Sequence, residues 1–262
     1  MSKIALSNNG KVKFRPNHKN TFGLNFGLPK TGGTCPGATT GEGGCFKLKK
    51  KDGKQLVCYV DKLTKIYPAV GNVLALNTEL LREATQSEME TLLTELIEEF
   101  KSKNKPEFWF FRLHWSGDFF SAAYAKAWVA VVNKFPEVYF WVYTRSHGYV
   151  KYFQKCENIT VYLSIDPVNV TEGLAVFEQF KEHPRIGLAW LGEGEIAGYK
   201  FVTCPETSGK IKNTEQQGAC ARCRLCVDNY VNKVKNIIPA TERILRVVWM
   251  EKITQKQSMQ SE

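Results

Sequence analysis

The sequence holds no apolar run near the roughly 18 to 20 residues that a membrane span needs. Its first residues, Met1-Ser2-Lys3-Ile4-Ala5-Leu6-Ser7-Asn8, contain no stretch long enough for a signal peptide. Both absences predict a cytoplasmic, reducing home and no membrane partner. No internal repeat is present, and the one biased tract is the polar tail Thr254 to Glu262, which reads as disordered. Acidic residues are also in short supply: 26 Asp and Glu against 36 Lys and Arg leave a formal charge of +10. Nucleic acid or a nucleotide is the natural partner of such a chain, because neutralised phosphates release counterions; solvated lysine loops are the plainer alternative. The excess is uneven. Lys11, Lys13, Arg15, His18, Lys19 and Lys30 precede the first cysteines, and Lys47, Lys49, Lys50, Lys51 and Lys54 follow the second. Phe14, Phe22, Phe26 and Phe46 are interleaved with them and offer rings that stack on bases.

At 262 residues the chain can bury a large core as a single domain without disulfide staples. Residues 1–60 are rich in Gly, Asn, Lys and Thr and lack periodicity, which predicts loop or short hairpin. From about residue 75 to 200 the pattern becomes α/β. Leu80, Leu81, Met89, Leu92, Leu93, Leu96, Ile97 and Phe100 recur at helical spacing, with a capping-box-like start at Ser87-Glu88-Met89-Glu90. Strands are expected at 108–114, 138–143, 159–164 and 186–191. Helices are expected at 122–135, near 148–154 and at 171–182. Repeated strand–helix units predict an α/β fold with a parallel sheet, a complete or partial (β/α) barrel carrying an irregular, cysteine-containing N-terminal segment and a cysteine-rich segment at 200–235.

Seven of the eight cysteines fall into two groups. Cys220-Ala-Arg-Cys223-Arg-Leu-Cys226 repeats a two-residue gap, and Cys204 supplies a fourth sulfur, so these four fit a closed site holding either structural zinc or a [4Fe-4S] cluster. Cys35, Cys45 and Cys58 offer three sulfurs. On a four-iron cluster they would leave one iron open for a cofactor or substrate; zinc completed by His18, or plain buried thiols, are the alternatives. Cys156, beside Phe153, reads as core.

In a parallel α/β fold chemistry sits where strands end. The expected strand ends carry Arg112, His114, Ser116 and Asp118, then Tyr143, Thr144, Arg145 and Ser146, then Ser164, Asp166 and Asn169, then Glu193 and Glu195. Of these, Asp118, Arg112, His114, Tyr143, Arg145 and Asp166 are candidates for proton transfer or substrate orientation, and Ser116 and Ser164 for cofactor binding. Each has a structural reading as well. Asp118 can be a turn and helix cap, His114 a core histidine, and Arg145 a solvated loop arginine instead of a phosphate or carboxylate clamp.

Thr34-Cys35-Pro36-Gly37-Ala38, Cys58-Tyr59, the run Arg112 to Ser121 with Trp128 downstream, Phe140 to Ser146 and the last cysteine group together resemble the phage and plasmid family called gene-product-88-like, over about residues 20–230. The resemblance implies a protein of a phage or other mobile element. A three-cysteine start before βα units is also distantly similar to the radical S-adenosylmethionine barrels. That likeness implies an open iron that binds the cofactor's amino and carboxyl groups, although Cys35, Cys45 and Cys58 are spaced more widely than the gaps of three and two usual there. The expected function is therefore an iron–sulfur, radical-S-adenosylmethionine-like enzyme acting on nucleic acid or a nucleotide. A second reading is similar to the zinc-dependent deazaguanine transglycosylases, with Asp118 or Asp166 as nucleophile and Cys220, Cys223 and Cys226 on zinc. A third is a non-enzymatic DNA-binding module stapled by its metal sites.

Overall fold

The computed structural model describes residues 3–14, 19–38, 44–45, 58–192, 196, 199, 201–227 and 247–251. The tail Thr254 to Glu262, the lysines at 47–54, Arg15, His18, Phe46, Glu193 and Glu195 lie outside the described residues.

Three helices come first: α1 (Val60–Ile66), α2 (Pro68–Arg82) and α3 (Gln86–Ser102). α3 begins two residues earlier than Ser87-Glu88-Met89-Glu90 suggests, because Thr85 is the cap. Its hydroxyl accepts from the Glu88 N–H at 3.3 Å, and the Glu88 carboxylate accepts from the Thr85 N–H at 2.7 Å. Met89, Leu93, Leu96, Ile97 and Phe100 form the buried stripe that the periodicity predicts.

Strands β1 (Phe110–Arg112), β2 (Tyr139–Thr144), β3 (Ile159–Ile165) and β4 (Ile186–Leu191) follow in the expected order. They alternate with α4 (Ala122–Lys134), a 3-10 helix at His147–Phe153, and α5 (Val170–Glu178). Ser121 caps α4 by accepting from the Tyr124 N–H at 3.1 Å. The first strand is shorter than the apolar run 108–114 predicts. Pro106–Phe108 turns as a 3-10 helix, and the pairing with β2 ends where the Leu113 N–H donates to the Trp141 carbonyl at 3.1 Å. Residues 21–24 take over that edge: Phe22 N–H reaches the Arg112 carbonyl at 3.2 Å and Leu24 N–H the Ser116 carbonyl at 2.9 Å. An edge that would otherwise present free amides is thereby covered.

Two further strands, β5 (Phe201–Thr203) and β6 (Val247–Glu251), complete a six-stranded sheet of order β1-β2-β3-β4-β6-β5, parallel at every pairing. Neither was expected from the pattern. A closed barrel is not seen: among the described residues nothing pairs β5 with β1.

Because β1 to β4 lie side by side in chain order and parallel crossovers are right-handed, their connecting helices fall on one face. There Phe111, Phe140, Val142, Val161, Leu163 and Leu188 pack with Trp128, Phe100 and Phe177 in the main core. Asn158 closes the end of α4 by directing its amide at the carbonyls of Val132, Phe135 and Val138, at 3.0, 2.8 and 2.9 Å. The alternate residues face the other way. Phe110 and Trp141 pack with Val12, Phe14, Ala221 and Val227, and Tyr162 and Ala189 with Tyr143, Cys204 and Cys226. Apolar side chains on both faces are what a parallel sheet covered on both sides requires, and here the second cover is the cysteine-bearing chain.

Candidate functional site

On the face away from the helices lies a cavity of about 840 Å³. Arg112, Trp141, Tyr143 and Leu191 form its floor, Cys204 to Thr207 and the 219–227 segment one wall, and Asn8 to Lys11 with Tyr59, Leu63 and Trp115 the other. The cysteine wall is fixed by backbone contacts. Gly218 and Cys220 N–H donate to the Lys13 and Lys11 carbonyls, each at 2.7 Å. A Cβ at Gly218 would lie 2.3 Å from the Gly10 carbonyl oxygen, so only glycine lets the two segments approach this closely. The short helix α6 (Ala219–Cys223) ends on Arg224 in the left-handed region, φ 52°, with its N–H returned to the Cys220 carbonyl at 2.9 Å.

Cys204, Cys220, Cys223 and Cys226 form no disulfide, and each is partly buried. Burial pushes the Cys226 thiol up, and the Cys220, Cys204 and Cys223 sulfurs push it further, against a hydrogen bond from Tyr143. Burial likewise raises Cys220, to about 11, while Arg112 and Lys11 act to lower it. The four sulfurs therefore share one electrostatic neighbourhood. The Lys11 ammonium pairs with Glu206 at 2.8 Å, and the Arg112 guanidinium lies over the Tyr143 ring, 5.4 Å from its centre.

Cys35, Cys45 and Cys58 form a second neighbourhood, reached through Tyr59, whose hydroxyl donates to the Trp115 carbonyl at 2.6 Å. The Cys45 and Cys58 thiols bond each other. That bond, helped by the Val60 and Asp61 amides, brings Cys58 down to about 7, while the same bond together with burial raises Cys45. Cys35 is raised by burial, then by Asp118 and Cys58, although the Gly117 and Gly27 amides face its sulfur. None of the three forms a disulfide. Among the described residues, however, no three or more His, Cys, Asp or Glu side chains stand in metal-holding geometry.

The loop bearing Cys35 rests on the end of β1. Asp118 N–H donates to the Thr34 carbonyl at 3.1 Å, and Gly117 takes φ 77°, where a Cβ would lie 2.4 Å from that of Leu24. Asp118 is buried and accepts from the Thr144 hydroxyl at 2.6 Å and from the Arg145 and Phe119 amides, each at 2.7 Å. Burial still raises its pKa, outweighing those donors. Arg145 pairs with the fully buried Asp166 and donates Nε to the Gly37 carbonyl at 3.0 Å, so the ends of β2 and β3 grip the Cys35 loop.

The structure thus divides the sequence candidates. Arg112 and Tyr143 join the cavity with Cys204, Cys220, Cys223 and Cys226; Asp118, Arg145 and Asp166 gather by Cys35, Cys45 and Cys58. Ser116 is buried with a hydroxyl that has no partner among the described residues, and Ser164 lends its carbonyl to His147 Nε2 at 3.0 Å. His114 stands apart in the helix-side core, against Phe119 and Trp128, with Nε2 2.9 Å from the Tyr124 hydroxyl. Lys11, Tyr59, Trp141 and Glu206 are cavity residues that the sequence reading did not single out as site candidates. The basic cluster that includes Lys11, the Cys58-Tyr59 pair and the alternation of Trp141 with Tyr143 along β2 are the signals that mark three of them.

Burial brings His114 down to about 3, against 6.5 in a solvated chain. The unfolded chain therefore binds a proton that the folded chain refuses, and this residue's contribution is full above pH 6.5 and lost as the pH falls toward 3. The slope is up to about 1.4 kcal/mol per pH unit. Urea titrations at a series of pH values below 6.5 should show this loss, and His114→Gln, which cannot take the proton, should flatten it.

The model of the family described as Gene product 88 matches residues 3–229 of the chain. The "Gene 88 protein" of Mycobacterium phage L5 is 36% identical over 250 residues, covering 88% of this chain and 97% of that protein. The "Gene 88 protein" of Mycobacterium phage D29 is 37% identical over 215 residues, covering 77% and 82%. No solved structure matches the chain.

Proposed function

The chain belongs to the Gene product 88 family, and from that premise we propose that it is an iron–sulfur enzyme of a phage or other mobile element, working in the host cytoplasm on a nucleotide or nucleic acid. One observation carries the reading. Seven cysteines that form no disulfide, drawn from distant parts of the chain, gather in two groups beside the C-terminal strand ends, where Arg112, Tyr143, Asp118, Arg145 and Asp166 also stand. Soft sulfur donors in this number suit iron–sulfur or zinc chemistry, and backbone amides aimed at Cys35 and Cys58 are the kind of support that tunes such ligands.

Cys35, Cys45 and Cys58 would hold the reactive centre, and Cys204, Cys220, Cys223 and Cys226 a second one. A four-iron cluster held there would supply a binding point for S-adenosylmethionine and, once reduced by an external one-electron donor, the electron that cleaves it. Around it, Asp118 and Arg145 fix the loop that carries Cys35, Asp166 neutralises Arg145, and Arg112 and Tyr143 orient a substrate in the cavity. Helices confined to one face of the β1 to β4 sheet support the finer reading of the fold as a partial barrel, with the cavity at its mouth.

Anaerobic purification followed by iron, sulfide and zinc analysis, visible absorption and an assay for 5′-deoxyadenosine, with S-adenosylmethionine and a low-potential one-electron reductant added, tests the proposal. Iron and sulfide in equal amounts with release of 5′-deoxyadenosine are expected. Zinc without iron would replace it with the base-exchange reading, and protein that takes up neither metal would overturn both.

A further inference from the structure

We infer that the cavity takes one nucleoside monophosphate unit, with its phosphate on Arg112 and its base against the ring of Tyr59. The inference rests on the proposed function only in taking this cavity as a working site. Arg112 spends its Nε on the His114 carbonyl at 2.8 Å, and among the described residues its two terminal nitrogens meet no acceptor. It is nonetheless held in place, with its guanidinium 5.4 Å from the centre of the Tyr143 ring. Lys11 stands near enough for the two cations to oppose each other, and Glu206, the carboxylate on the cavity wall, is already paired with Lys11 at 2.8 Å. Two neighbouring cations with one acid between them leave an unmet positive charge, and the open guanidinium fork matches a phosphate's paired oxygens.

The ring surfaces supply the rest. Tyr59, 41% exposed, presents its ring on one cavity wall beside Trp115, whereas Trp141 is buried and the Tyr143 ring already carries Arg112 and stacks with Tyr162 at 5.2 Å. An exposed ring such as that of Tyr59 accepts any base by stacking. A volume of about 840 Å³ is within the range for small-molecule sites and too small for a duplex, so one nucleotide enters, free or at the end of a single strand. The rival role for Arg112 and Lys11 is to offset the charge of the thiolate at Cys220.

Titration of the full chain with the common nucleoside monophosphates, read by tryptophan fluorescence and calorimetry, tests the inference against nucleosides and inorganic phosphate as controls. A monophosphate should bind about tenfold or more tightly than its nucleoside, and Arg112→Ala should erase that difference while leaving metal content and melting temperature as in the parent. Arg112→Lys should restore part of it. If monophosphates fail to bind, or bind Arg112→Ala equally well, the inference is overturned; metal lost from Arg112→Ala without any effect of phosphate would assign the residue to the rival role. A single-stranded oligonucleotide that competes at the same site, with affinity falling steeply as salt rises, would identify the source as a strand and not a free nucleotide. Metal analysis of the same samples keeps the two conclusions apart. Metal-free protein that binds monophosphates sinks the iron–sulfur reading alone, and metal-loaded protein that ignores them sinks this one alone.

Discussion

In Cys226→Ala the metal centre proposed for the C-terminal group is expected to disappear, from about one per chain to nearly none, while the sheet stays folded. A closed site held by four sulfurs does not degrade by quarters. Each ligand's contribution depends on the geometry set by the other three, and apparent free energies of about 10–16 kcal/mol for structural zinc sites collapse once a ligand is missing. Cys226 is the best of the four to remove, because the Tyr143 hydroxyl bonds its sulfur and the Cys204, Cys220 and Cys223 charges all act on it. Cys156→Ala is the matched control. That thiol is buried beside Phe153 in the main core, so its removal should cost about 1 kcal/mol of packing and no metal. Metal analysis and thermal melting of the two variants decide the matter, and unchanged metal in Cys226→Ala would mean that these thiols hold no centre.

Asp118→Ala is expected to lower stability by about 3–5 kcal/mol, the sum of several buried donors left without an acceptor at roughly 1–3 kcal/mol each. The Thr144 hydroxyl and the amides of Arg145 and Phe119 all end on this carboxyl group. Asp118→Asn keeps one acceptor oxygen and should cost about 1–2 kcal/mol, because the paired donors are only partly lost. Urea unfolding measures both. The same alanine should loosen the loop seated on the Asp118 amide, so thiol-labelling of Cys35 should quicken more than that of Cys220. Equal rates in parent and variant would mean that the Asp118 carboxyl group does not brace the cysteine loop.

The helices and the first four strands were legible because each is written locally. The α3 stripe from Met89 to Phe100 and the apolar runs of β2, β3 and β4 carry their own periodicity. Family membership was legible from short, ordered motifs. The two faces of β1 were not. Strict alternation places Arg112 and His114 together, but the strand stops at Arg112, residues 21–24 seize its edge, and His114 swings to the opposite side. Strands β5 and β6 escaped notice because three or five residues hold too little pattern, and their pairing is decided by partners far along the chain. The meeting of Lys11 with Glu206 across the cavity, 195 residues apart in sequence, is of the same kind. Local rules reached the scaffold; the enclosure of the site depends on contacts between remote segments.

The order of strands also dictates a timetable. β6 lies between β4 and β5, so the outermost strand, made earlier in synthesis, has nothing to pair with until residues 247–251 have left the ribosome. Cys204 follows that waiting strand directly. A chain shortened before residue 247 therefore leaves β5, and with it the segment that carries Cys204, without its partner in the sheet.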